Sequence, residues 1–208
     1  MNKCISLKIQ QFFYKTIHDT HKIGRYWLKI DGFETRAICK TCGDDETMDH
    51  ILTECTHPST QLIWSLARKT WPHGSETWPQ LTLGTIVGCG TIEIRTATNQ
   101  RHRHTTNPGP QVNAGATRLI KILLSESAYL IWTTRCERII RGIEPSERAM
   151  KATWRNAINR RFSEDVITAM KVLRRQNHTK LIKHTWEKAL LQHHGNLPEN
   201  WLLRVKGF

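Results

Sequence analysis

Cys39-Lys40-Thr41-Cys42-Gly43-Asp44-Asp45-Glu46-Thr47-Met48-Asp49-His50-Ile51-Leu52-Thr53-Glu54-Cys55 is the stretch on which the reading of this chain turns. Three thiols and one imidazole fall within seventeen residues, spaced Cys-x2-Cys-x7-His-x4-Cys. This is the soft donor set that tetrahedral zinc prefers. Two residues between Cys39 and Cys42 let the chain turn back so that both sulfurs face one ion, and Gly43 can take the positive φ such a turn requires. Thr47 can cap a brief helix carrying Met48, Ile51 and Leu52, which puts His50 in its first turn and Cys55 just past its end. Four protein ligands leave no open coordination position, so the spacing predicts a structural ion that drives folding and does not activate water. The bland alternative is a group of core thiols beside a coincidental histidine. The ligand count and the spacing weigh against it.

On the N-terminal side, Ile5, Ile9, Phe12, Phe13 and Ile17 recur at helical spacing and predict an amphipathic helix. Tyr26-Trp27-Leu28 and the Asp31-Gly32 turn signal then lead into the cysteines. After them, a helix starting after Pro58 is expected to bury Leu62, Ile63 and Leu66. Residues 72–116 carry Pro72, Pro79, Pro108 and Pro110, several glycines and a polar run from Thr96 to Asn107, the composition of a linker. Within it Leu83 to Cys89 reads as a helical turn or a short strand. Beyond Ala116, Leu119, Ile122, Leu123, Leu130, Ile131, Ile139 and Ile140 predict a long helix of roughly seven turns. Pro145 opens another with Trp154, Ile158 and Phe162 on one face, continued after Ser163 by Ile167, Met170 and Leu173. A last helix near Lys180 to His193 presents Leu181, Trp186, Leu190 and Leu191 and stops at Gly195. The expected fold is mainly α: a small zinc-stabilised helical module (residues 1–71), a flexible linker (72–116) and a basic helical bundle (117–208).

Charge divides unevenly. Residues 1–57 carry eight Lys and Arg against eight Asp and Glu, whereas residues 58–208 carry 23 against 10, so the whole excess of +13 follows the cysteine cluster. Such an excess favours a polyanionic partner, RNA or DNA, through counterion release. Arg135, Arg138 and Arg141 recur at i, i+3 and i+6, and Arg160, Arg161, Arg174 and Arg175 form two further pairs; with Trp154 nearby they are candidates to track a phosphate backbone and stack a base. The alternative is a solvent-facing stripe over an apolar core that holds Trp154. Asp44, Asp45 and Glu46 beside the zinc ligands would repel phosphate, which argues against the zinc loop as the reader. Cys89 and Cys136 lack a second cysteine at ligand spacing and read as core thiols. His178, His184, His193 and His194 read as exposed histidines. No run approaches the roughly 20 apolar residues of a membrane span. No secretory signal is evident at Met1 to Ser6, so a reducing intracellular location, nuclear or cytoplasmic, is expected.

Several blocks carry a family resemblance: Ile5-Ser6-Leu7-Lys8-Ile9-Gln10-Gln11-Phe12, His21-Lys22-Ile23-Gly24-Arg25-Tyr26-Trp27, the four zinc ligands and Glu46 to Cys55. They resemble the reverse-transcriptase zinc-binding region at the C-terminal end of fungal non-LTR retrotransposon proteins. The likeness continues through Leu83 to Gly90, Ser125 to Trp132, Arg135 to Arg138 and Asn156 to Arg161. It implies an upstream reverse transcriptase and ribonuclease H in a parent polyprotein, neither of which is in this chain. A ribonuclease H core needs clustered carboxylates on strands to hold two metal ions, and no strand pattern surrounds the acids here. The expected function is therefore a non-catalytic, zinc-binding, nucleic-acid-associated accessory segment, with no catalytic residue. The alternative is a structural or protein-interaction helical domain in which zinc only stabilises the fold.

Overall fold

A run free of Pro from Ala114 to Arg141 becomes one helix of 28 residues, and the rest of the chain packs around it. The computed structural model describes residues 4–95, 111–171, 176–204 and 207–208. In chain order its α-helices are α1 (Leu7–Ile17), α2 (Pro58–Thr70), α3 (Leu83–Val87), α4 (Ala114–Arg141), α5 (Glu147–Lys171), α6 (Gln176–His194) and α7 (Trp201–Arg204). Among the described residues no β-strand forms beyond two isolated antiparallel bridges, Ile38 with Asp45 and Arg95 with Val112. The fold is mainly α.

The ends of α4 follow from local chemistry. The Asn113 side chain accepts from the Ala116 N–H at 3.0 Å, and Gly142 stops the helix in the left-handed conformation, at φ 67°. A surface helix exposes one face, but α1, α2, α3, α5 and α6 all contact α4. Leu119, Ile120, Ile122, Leu123 and Leu124 are accordingly enclosed together, as are the polar Ser125, Glu126 and Ser127. Ile140, by contrast, lies out in solvent near the C-terminal end.

Of the two readings open for Leu83 to Cys89, a helical turn or a short strand, the helical one forms, as α3, with Ile86 and then Cys89 buried against α4. Both belong to a single hydrophobic core that runs from Ile5, Ile9, Phe12 and Phe13 through Met48, Ile51 and Leu52 to Trp186 and Trp201. Each such large apolar side chain contributes about 1.5–3 kcal/mol when removed from water. The buried residues of the described segments form one connected core. Residues 72–95 join it through Trp78, Ile86 and Cys89. The polar run at 96–107 lies outside the described residues.

Other helices shift their buried faces relative to expectation. In α2, Ile63 and Ala67 are buried while Leu62 and Leu66 pack only partly. Helix α5 is continuous through Ser163, with Ser146 capping it by accepting from the Ala149 N–H at 3.2 Å. Its inner face is Met150, Trp154, Ile158, Phe162, Asp165 and Ala169, so Ile167 and Met170 are exposed; Leu173 lies outside the described residues. In α6 the buried face is Ile182, Trp186, Ala189 and Leu190, with Leu191 turned outward. Gly195 ends it at φ 73°. No described helix is long and apolar enough to cross a membrane.

Candidate metal centre

Each half of the Cys39 to Cys55 stretch is shaped by its own backbone bonds. Ahead of the first ligand, Ile38 bridges Asp45 and the Glu46 N–H donates to the Ala37 carbonyl at 2.8 Å. Inside that frame the Cys39 N–H donates to the Asp44 carbonyl and the Gly43 N–H to the Cys39 carbonyl, both at 2.8 Å. Gly43 stands at φ 80°, the left-handed turn that folds Cys42 back toward Cys39. In the second half, the Thr47 hydroxyl oxygen accepts from the His50 N–H at 3.0 Å, the cap expected from the sequence. The capped turn is π-helical, His50–Glu54, and is closed by the Cys55 N–H on the His50 carbonyl at 2.8 Å. A π-turn places residues five apart on one side, which an α-turn does not. That is how His50 and Cys55 come to face the same point.

The sulfur of Cys55 lies 3.8 Å from that of Cys39 and 3.9 Å from that of Cys42, and the donor atoms of Cys39, Cys42, His50 and Cys55 all fall within 4.8 Å of one another. Among the described residues, His50 Nε2 is buried with no hydrogen-bond partner, while Nδ1 faces Asp44 Oδ2 at 3.8 Å and Glu54 Oε2 at 3.9 Å. An imidazole whose donor atom stands within 4.8 Å of three sulfurs, with one ring nitrogen unpartnered and carboxylates near the other, suits a metal ligand supported by its surroundings. These four residues could hold one metal ion. Hydrogen bonds from the Thr56 hydroxyl and N–H, at 3.3 and 3.4 Å, draw the Cys42 thiol below its ordinary pKa. Burial pushes the Cys55 thiol up to about 12, so its thiolate needs a cation beside it.

The acidic loop is less acidic at its surface than its sequence implies. Asp44 and Asp45 are exposed, but Glu46 is 1% exposed and forms an ion pair with Arg135 of α4, whose Nε donates to Glu46 Oε2 at 2.6 Å. The centre is thereby tied to the central helix. Met48, Ile51 and Leu52 add apolar contact to the same core.

The arginines proposed as phosphate contacts are distributed differently. Arg135 is buried in that pair and does not present its guanidinium to solvent. Arg161 is largely covered, paired with Glu126 at 3.5 Å and Glu164 at 2.8 Å, and donating to the Cys4 carbonyl at 2.9 Å. Arg160 is half exposed yet paired with Glu126 at 3.2 Å. Arg138 is half-buried; Arg141 is exposed and paired with Glu137 at 3.1 Å. Arg174 and Arg175 lie outside the described residues. Trp154, the candidate stacking ring, is buried and donates its indole N–H to the Ser127 hydroxyl at 3.0 Å. The i, i+3, i+6 spacing misleads because the enclosure of α4 places Arg135 against Glu46, a partner 89 residues away. Cys89 is a buried core thiol, pushed up to about 12 by burial.

No family model, no curated protein and no solved structure matches the chain.

Proposed function

We propose that the chain is a zinc-stabilised, non-catalytic segment that associates with RNA or DNA within a retroelement polyprotein, downstream of a reverse transcriptase and ribonuclease H. The observation that carries this reading is the closed Cys39, Cys42, His50, Cys55 donor set. A Zn–S bond of about 2.3 Å puts two sulfurs of a tetrahedron about 3.8 Å apart, and the sulfur pairs here stand at 3.8 and 3.9 Å. Thiolates with one imidazole favour zinc over the hard cations, which take oxygen ligands. When bound, zinc supplies cross-linking of the two halves of the loop. With all four positions filled by protein it has none left to polarise a substrate or water.

The nucleic-acid part rests on the net charge of +13 and on the resemblance of the zinc block and its flanks to the retrotransposon zinc-binding region. A second reading, a structural or protein-interaction helical domain, is favoured by the internal pairing of Arg135, Arg160 and Arg161. Titration of the zinc-loaded protein with labelled RNA at two salt concentrations separates the two. The first reading expects one zinc per chain and a log affinity that falls linearly with log salt. One bound zinc with no RNA or DNA binding at low salt would leave the second.

A further inference from the structure

Between α1 and the metal centre the chain forms two short 3-10 helices, Gly24–Lys29 and Glu34–Ala37, packed on each other. Segments this short have little apolar surface to bury, and they leave large side chains outside. Tyr26 is 37% and Phe33 40% exposed. Cations interleave with the rings: Lys22 Nζ stands 5.5 Å from the Tyr26 centroid, and the Arg36 guanidinium lies between Trp27 and Phe33, 4.9 and 4.6 Å from their centroids. Among the described residues, Lys22, Arg25, Lys29 and Arg36 form no ion pair, unlike Arg118, Arg135, Arg160 and Arg161 of the helices. The opposing acids in this stretch are Asp31 and Glu34. A cleft lined by Asp19 to Tyr26 and Lys29 runs along this face and meets Asp45, Glu46 and Thr47 of the metal loop.

We propose that this face binds single-stranded nucleic acid, phosphates meeting Lys22, Arg25 and Lys29 while bases stack on Tyr26 and on the Phe33–Arg36 pair. The proposal rests on the nucleic-acid reading above and names its surface. Asp19, Asp31, Glu34 and Asp45 match the four cations in number, but among the described residues Lys22, Arg25, Lys29 and Arg36 are held in no ion pair and stay available to phosphates, and exposed rings among them select a polyanion whose bases are free to stack, which a duplex does not offer. The overall charge balance points instead to the later helices, but there Arg135, Arg141, Arg160 and Arg161 are engaged within the chain. Glu34–Ala37 leads directly into Cys39, so metal binding and the shape of this face are linked.

The test uses full-length, zinc-loaded protein and a labelled single-stranded RNA, followed by anisotropy at two salt concentrations, with a duplex of the same sequence for comparison. Lys22→Glu with Arg25→Glu should weaken binding by on the order of tenfold or more and flatten the salt slope by roughly 0.7 for each phosphate no longer neutralised. Tyr26→Ala should weaken it about five- to a hundredfold and leave the slope unchanged. The single strand should bind more tightly than the duplex. Charge reversal of exposed Arg148, Lys151 and Arg155 on α5 should have little effect. If the α5 variant loses binding while the other two retain it, this surface is wrong and the nucleic-acid reading stands. If the unaltered protein binds neither RNA nor DNA at low salt, that reading fails and this one with it. Should a variant lose zinc or helix, photo-crosslinking of 4-thiouridine RNA to the unaltered protein decides: crosslinks within residues 22–36 support the surface, and crosslinks confined to α5 and α6 overturn it.

Discussion

Arg135 and Glu46, 89 residues apart, meet through a 2.6 Å hydrogen bond from Nε to Oε2, with no more than 5% of either side chain exposed. Removing one partner of a buried pair strands the other charge without water, at a cost of about 3–5 kcal/mol. Arg135→Ala and Glu46→Gln should each lower stability by that order in urea unfolding. An apolar double substitution, Arg135→Met with Glu46→Leu, should recover most of the loss. Equal additivity of the two single effects would mean that the pair does not couple α4 to the metal loop.

Because Met48, Ile51 and Leu52 share one core with α4, loss of the metal centre should not stay local. We expect His50→Ala, or chelation of the ion, to lower the temperature at which the whole chain unfolds. Helix melting followed by circular dichroism should coincide with tryptophan fluorescence, as a single cooperative core requires. Two separated transitions, with residues 20–70 melting first, would show that the earlier residues unfold independently.

Gly24 sits at φ 47°, and a Cβ there would stand 2.7 Å from the Glu46 carbonyl oxygen. Gly24→Ala therefore combines left-handed strain with a clash against backbone that cannot easily yield. A loss of about 1–3 kcal/mol is expected, together with weaker metal retention because Glu46 lies within the ligand loop. Equilibrium unfolding and competition with a chromophoric chelator measure the two effects separately.

Asp165 is buried and accepts both Arg118 nitrogens at 2.6 Å and the Trp186 indole N–H at 2.7 Å, joining α4, α5 and α6. Asp165→Ala should cost about 3–5 kcal/mol, since it leaves a guanidinium buried and unpaired. Trp186→Phe removes one hydrogen bond to a charged acceptor and should cost about 1.5–3 kcal/mol, plus the volume lost. Denaturant midpoints rank the two variants, and a milder effect for Asp165→Ala than for Trp186→Phe would contradict the network.

Glu126 is held above the ordinary glutamate pKa by burial, against the opposing pull of Arg161 and Arg160. A carboxyl raised in the folded state favours folding while protonated. Its contribution is complete below the unfolded value and disappears as pH climbs through the raised one. The unaltered protein should therefore lose stability relative to Glu126→Gln as pH rises from the ordinary carboxylate range upward. Urea midpoints across mildly acidic pH check the sign, and a gap that moves the other way would show that pairing with the arginines outweighs burial.

The features legible in the sequence are those set by neighbours along the chain. Ligand spacing, the Thr47 cap, the positive φ at Gly43, the stop at Gly195 and the helical class all depend on contacts within a few residues. Tertiary structure alone decided the rest. Periodicity tells which residues share a face but not what that face meets, so Arg135 on α4 reads as a solvent contact although it packs against Glu46. The packing of α6 on α4 and α5 likewise selected Ile182 and Ala189 for burial over Leu181 and Leu191. The π-turn at His50–Glu54 belongs to the same class, because its extra residue per turn serves the convergence of donors from both halves of the loop and leaves no mark in local propensity. Packing partners tens of residues apart carry the free energy that chooses among locally equivalent arrangements, and no short window of sequence contains them.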